Sequence, residues 1–275
     1  MTVTASGRAA VVARRLLVDR RRALLWWCVA FAAFIAVNVV FYPSVKGQQD
    51  FDQLMEQLPE SLRVLTGISE GLSITSPVGY LQSQLFGLYF PLLLLVFGIG
   101  LGANAIAGAE QAGTLETLLH LPVRRREVAL GRMAAITVLV TAMAAAGAAS
   151  LLVGDPLVGL DEGLPATHLL AACVDALLLA LVFTALAFAV GAASGRKAEA
   201  LAVASAVATA MFLLNGFGDL IDALATLRVV SPWHWYAGGD PLSNGFTLQG
   251  TLPALGTTVV LVALGLWRLD RRDLR

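Results

Sequence analysis

A chain of 275 residues that is 57% hydrophobic and 14% charged, with a mean hydropathy of +0.76, is no ordinary soluble domain. Its 19 basic and 19 acidic residues cancel, so bulk electrostatics point to no nucleic-acid partner. The informative quantity is where those charges sit.

Residues 8–22 place Ala9, Val12, Ala13 and Leu16 on one helical face, with Arg8, Arg14, Arg15, Arg21 and Arg22 mostly elsewhere. This pattern predicts an amphipathic helix lying in a membrane headgroup layer. Residues 23–42 form the first of six apolar stretches; about 20 apolar residues suffice to cross a bilayer. The stretch outlasts the apolar run of roughly 7–15 residues in a signal peptide and has no small-x-small cleavage site before Pro43, so it reads as a retained span. Ser44–Ser83 is a polar loop in which Phe51, Leu54, Met55 and Leu58 recur at helical spacing, with Asp50 as a cap and Pro59 as a stop.

Residues 85–109 are the second span. Gly98 and Gly102 stand in small-xxx-small spacing, which permits close helix approach within the subunit or across a dimer. Pro91 is expected to bend this helix, since it removes a backbone donor. The chain then becomes polar from Glu110 to Arg132. Gly113 and Thr114 read as a helix start, Leu115, Leu118, Leu119 and Val123 as an apolar stripe, Pro122 as a stop. Arg124, Arg125 and Arg126 follow as an anchor for the next span. A short amphipathic helix between two spans is predicted, although composition alone fits an ordinary loop equally well.

The third span covers 128–153 and the fourth 168–193, joined by a short acidic loop. The fourth carries Asp175, the one acid these boundaries put inside the membrane. An intramembrane acid is costly, so Asp175 is a candidate either for a structural or water-facing role or for a proton relay. Gly195-Arg196-Lys197 forms a tight turn before the fifth span, 198–217, whose polar positions include Ser205, Thr209 and Asn215. Gly218–Gly250 is too long for a turn and too polar to cross, and its run from Ser231 to Tyr236 is rich in aromatics. The sixth span is 252–267, followed by a basic tail. Arginine and lysine concentrate before the first span, after the second, after the fourth and in this tail, while the alternate loops hold only Lys46, Arg63 and Arg228. The positive-inside rule then puts both termini in the cytoplasm. No G-x-x-x-x-G-K-[ST] phosphate loop occurs, and no His or Cys spacing suggests a metal site.

Glu110, Gly113-Thr114-Leu115-Glu116, Leu118-Leu119, Pro122-Val123, Arg125 and Gly131-Arg132 resemble the hallmark of the permeases of type 2 ABC exporters. Leu58-Pro59-Glu60, Leu65-Thr66-Gly67 and Pro77-Val78-Gly79-Tyr80-Leu81 also look like this family. Two departures are visible: the family usually has a second charged residue near Gln111 or Ala112, and often a Lys in place of Arg132. The resemblance implies an all-α membrane protein in a single permease domain over residues 1–275. Its parts would be six transmembrane helices, an N-terminal amphipathic interfacial helix, a cytoplasmic coupling helix between helices 2 and 3, and short external helices before helices 2 and 6. ATP and Mg would act on a separate ABC ATPase subunit, present in two copies, so this chain would need no cofactor and be no enzyme itself. The ATPase would dock on Glu110, Gly113, Thr114, Leu115, Glu116, Leu118, Leu119, Pro122 and Arg125. A second permease subunit, a copy of this chain or a paralogue, would complete the path. Helices 2 and 5 would line it, which makes Gly98, Gly102, Thr209 and Asn215 positions of dimer or pathway packing. The family's cargoes are drugs, antibiotics, polysaccharides and lipids; the apolar lining here suits a hydrophobic or amphipathic one, in the plasma membrane and in contact with lipid. Two other readings stand beside it: an ion-coupled transporter using Asp175, and a non-transporting membrane anchor for a cytoplasmic ATPase.

Overall fold

The computed structural model describes residues 5–46, 75–113, 124–158, 164–218 and 226–272. Among these residues every regular element is helical. Six helices are long and apolar enough to cross a membrane: α1 (Ala5–Phe41), α2 (Pro77–Gln111), α3 (Arg125–Val158), α4 (Ala166–Ser194), α5 (Lys197–Phe217) and α8 (Leu248–Arg271). Two short helices, α6 (Pro232–Ala237) and α7 (Pro241–Asn244), lie between α5 and α8.

The 37 residues of α1 form one unbroken helix, about 55 Å long at 1.5 Å per residue. The separate interfacial helix expected over residues 8–22 is therefore not a separate element. The reason is local: no Gly or Pro falls between Arg8 and Phe41, and nothing else interrupts the backbone ladder. The first break comes at Pro43, inside a 3-10 turn over Tyr42–Ser44. A hydrocarbon core of roughly 30 Å cannot hold the whole helix, so its basic end continues past the apolar part.

α3 runs beside α1. Phe31 and Ile35 of α1 lie against Gly147 of α3, and the Ser150 hydroxyl donates to the Ala32 carbonyl at 2.9 Å. α4 is the central helix, packed on α2, α3, α5 and α8 and the most buried of the six. Its apolar residues all round the barrel explain that position, because a helix without a polar face needs neighbours on every side.

α2 is regular only in part. A π turn occupies Gln82–Phe86, the chain is irregular at Leu88 (φ −146°), and a regular helix resumes at Tyr89. Pro91 falls in the first turn of that resumed helix, so its missing N–H and its ring meet the break rather than an intact ladder. A second π turn occupies Asn104–Gly108, where the Asn104 side chain donates to the Gly100 carbonyl at 2.6 Å.

The amino end of α1 and the carboxyl end of α8 lie at one end of the bundle, since Gly131 of α3 meets Ala9 of α1 and Arg126 pairs with Asp270 of α8. At the opposite end α6 and α7 cover α4, α5 and α8. Trp233 donates its indole N–H to the Ala208 carbonyl at 3.2 Å, and His168 Nδ1 lies 3.0 Å from the Leu242 carbonyl. The short helix expected over residues 50–58 lies outside the described residues.

Candidate functional site

Of the coupling residues expected from the sequence, Glu110, Gly113 and Arg125 are described, whereas Thr114, Leu115, Glu116, Leu118, Leu119 and Pro122 lie outside the described residues. The two flanks of that stretch are built as follows. α2 ends at Gln111, and Gly113 adopts a left-handed backbone (φ +66°) with its N–H on the Glu110 carbonyl at 3.0 Å. Gly113 thus terminates α2, and the helix start expected at Gly113 and Thr114 lies in part outside the described residues. On the other side, the Arg124 backbone N–H donates to Glu127 Oε2 at 3.2 Å, so Glu127 closes the first turn of α3 in the manner of a capping box.

Arg272, just past the end of α8, ties these flanks together. Its guanidinium pairs with the Glu110 carboxylate and donates to the Ala192 carbonyl of α4 at 3.2 Å. Its own backbone carbonyl accepts from Arg125 at 3.0 Å. The Arg272–Glu110 pair is largely withdrawn from solvent, with side chains 20% and 13% exposed. Gly195, left-handed at φ +68° after the end of α4, leaves the space that the guanidinium occupies; a Cβ there would lie 2.5 Å from it. Arg126 pairs with Asp270 nearby, in a more exposed contact of the kind that contributes little. Deeper in, Arg132 donates to the Ala105 carbonyl at 2.5 Å, inside the second π turn of α2. Gly131 permits the close approach of α3 to α1, because a side chain there would strike the Ala9 carbonyl.

One end of the bundle therefore concentrates charge from three helices: Glu110 on α2, Arg125, Arg126 and Arg132 on α3, Asp270 on α8 and Arg272 beyond it, against the carboxyl end of α4. The carbonyls at that end of α4 carry partial negative charge, which suits an arginine. Arg272 and Asp270 were invisible as site residues in the sequence, where the tail reads only as an orientation signal.

The remaining candidates lie elsewhere. Gly98 and Gly102 face Thr184 and Ala187 of α4 in the same chain, a contact within the subunit. Thr209 is exposed on α5, and Asn215 accepts from Arg228 Nε at 3.1 Å. Asp175 is 6% exposed on α4, about 25 Å along that helix from Ala192, with the Thr251 hydroxyl of α8 as hydrogen-bond partner. Near it the Tyr236 phenol donates to the Phe86 carbonyl in the first π turn, at 2.6 Å. Burial holds that phenol well above its ordinary pKa, so it remains a donor. Burial, and then the nearby Arg228, lower the pKa of His234. Among the described residues no group of His, Cys, Asp and Glu could hold a metal ion.

A family model described as "ABC-2 family transporter protein" matches residues 10–274. No curated protein matches the chain.

Proposed function

Because the chain belongs to the ABC-2 transporter family, a multi-pass permease that implies an ABC ATPase partner, we propose that it is the membrane subunit of an ATP-driven exporter of hydrophobic or amphipathic molecules. In this reading two permease subunits, either two copies of this chain or one with a paralogue, enclose the path. Two ATPases dock on the stretch between α2 and α3, and their closure on ATP drives alternating access. The Lys/Arg asymmetry supports a cytoplasmic location for both termini and for that stretch in the plasma membrane.

The observation that carries the reading is the charged end of the bundle. Glu110 and Arg125, two of the three described members of the expected docking stretch, are braced on α4 and α8 instead of hanging in a loose loop. A docking segment transmits force only if its roots are held. Asp175, by contrast, is a buried group hydrogen-bonded between α4 and α8, which favours a packing role over ion coupling.

The test is Glu116→Arg. At a docking contact the change replaces an attraction with repulsion, and breaking such a pair commonly costs about 2–5 kcal/mol. Co-purification of the ATPase with the permease should fall more than tenfold, while insertion is unchanged because the substitution lies between two spans. A mutant that inserts, keeps its ATPase and supports wild-type ATP hydrolysis would remove Glu116 from the docking surface.

A further inference from the structure

We propose that Arg272 is a positioning residue for ATP-driven movement, and that α8 carries this movement from the charged end to the helices α6 and α7 at the opposite end. The proposal rests on the exporter reading above. Its starting point is that α8 is held at both ends by elements that differ in role. At its carboxyl end Arg272 joins Glu110, Arg125 and the Ala192 carbonyl, so the roots of the stretch between α2 and α3 share one guanidinium with α4. At its amino end Gly250 packs directly on the Trp235 carbonyl of α6, and a side chain at 250 would overlap that carbonyl. Thr251 meets Asp175 of α4 one residue later.

Between these ends α8 is one helix of 24 residues, about 36 Å long, in which Pro253, in the second turn, is the residue without a backbone donor. A rigid element anchored in two places transfers a displacement, whereas a flexible connection absorbs it. The contacts at both ends also converge on α2. Tyr236 of α6 donates to Phe86 in one π turn, and Arg132 of α3 donates to Ala105 in the other, five residues from Glu110 in a region where α2 is irregular. α2 thus has two places where its ladder is already loosened, one pinned by α6 and the other close in sequence to the Glu110 that Arg272 holds. Without Arg272 the buried Glu110 carboxylate loses its cation and the flank of α2 loses its tie to α8.

The experiment uses the complete permease–ATPase complex in nanodiscs, in a Cys28→Ser, Cys173→Ser background with Phe246→Cys as reporter. Phe246 is 62% exposed between α7 and α8. The probe is the rate of modification by an impermeant maleimide, with and without ATP and vanadate. With Arg272 present the rate should change roughly fivefold or more, the lower end of ordinary coupling between sites. In Arg272→Ala the ATPase should still co-purify and hydrolyse ATP, but the rate at Phe246→Cys should no longer respond. Arg272→Lys, which keeps a cation against Glu110 and the Ala192 carbonyl, should retain part of the response. A full response in Arg272→Ala, or a well-inserted, ATPase-bound Arg272→Lys as unresponsive as Arg272→Ala, overturns the proposal. Absence of any ATPase from the parent complex would instead sink the exporter reading itself.

Discussion

The crossing of α2 on α4 makes opposite predictions for glycines two residues apart. A Cβ at Gly102 would overlap the Thr184 carbonyl oxygen and come within 3.2 Å of the Ala187 Cβ. Backbone cannot step aside, so Gly102→Ala must push the helices apart, at about 1–3 kcal/mol by analogy with overpacked cores. A Cβ at Gly100 meets nothing within 4 Å. Gly100→Ala should be neutral or stabilise by up to about 1 kcal/mol, since alanine is the better helix former. Gly98 is the intermediate case: its obstacle is the Thr184 hydroxyl, which itself donates to the Ala180 carbonyl at 2.7 Å. Gly98→Ala should therefore destabilise, and Thr184→Ala in the same chain should relieve it while leaving Gly102→Ala uncorrected. Thermal unfolding of the detergent-solubilised permease, followed by size exclusion, reads all five variants in one series. Equal effects at Gly100 and Gly102, or rescue of Gly102→Ala by Thr184→Ala, would refute the crossing described here.

Two further outcomes are expected. Asp175→Asn should keep most stability and transport because it retains shape and hydrogen bonding to Thr251, whereas Asp175→Leu should cost about 1–3 kcal/mol by leaving the pair unmade; transport that collapses in the Asn variant and loses its pH dependence would revive ion coupling. His234 has a lowered pKa in the folded state, so above its unfolded value of 6.5 both states carry neutral imidazole. As pH falls below that value the unfolded chain takes up its proton first, and stability declines until the folded pKa is passed. Melting curves between pH 7.5 and 5 should show that decline in the wild type and less of it in His234→Gln; identical slopes would mean the imidazole is not held neutral.

What the sequence disclosed follows from range. The six spans are encoded locally by apolar runs, and all six emerge as long helices. The end of α4 at Gly195 is equally local. The basic stretch of α1 was harder, because its amphipathic pattern is compatible with either a flat or a continuing helix, and only the absence of a breaker decides. Gly113 reads in the sequence as a start before Thr114, and its left-handed backbone adds a role the sequence reading missed, the close of α2 after Gln111. The four-residue spacing sets Gly98 and Gly102 apart from Gly100, and those two are the ones that face α4. Glu110 was recognisable by resemblance, but its partner Arg272 is 162 residues away and carries no local signal. Hydrogen bonds that span such distances are the part of a site that no periodicity records.

The second π turn of α2 fixes a geometric relation that a uniform helix would miss. Eight residues separate Gly102 from Glu110, and at about 100° per residue they would differ in direction by roughly 80°. A π turn absorbs one extra residue, which leaves an effective seven and a difference of about 20°. The same side of α2 therefore presents small residues to the middle of α4 and an acid to its carboxyl end. An insertion of one amino acid, once accommodated as a bulge, is in this way a means of steering a side chain. Deleting one residue between 104 and 108 would straighten the turn and keep Glu110 aimed at Arg272, whereas straightening it with every residue in place would swing the acid by about 100°.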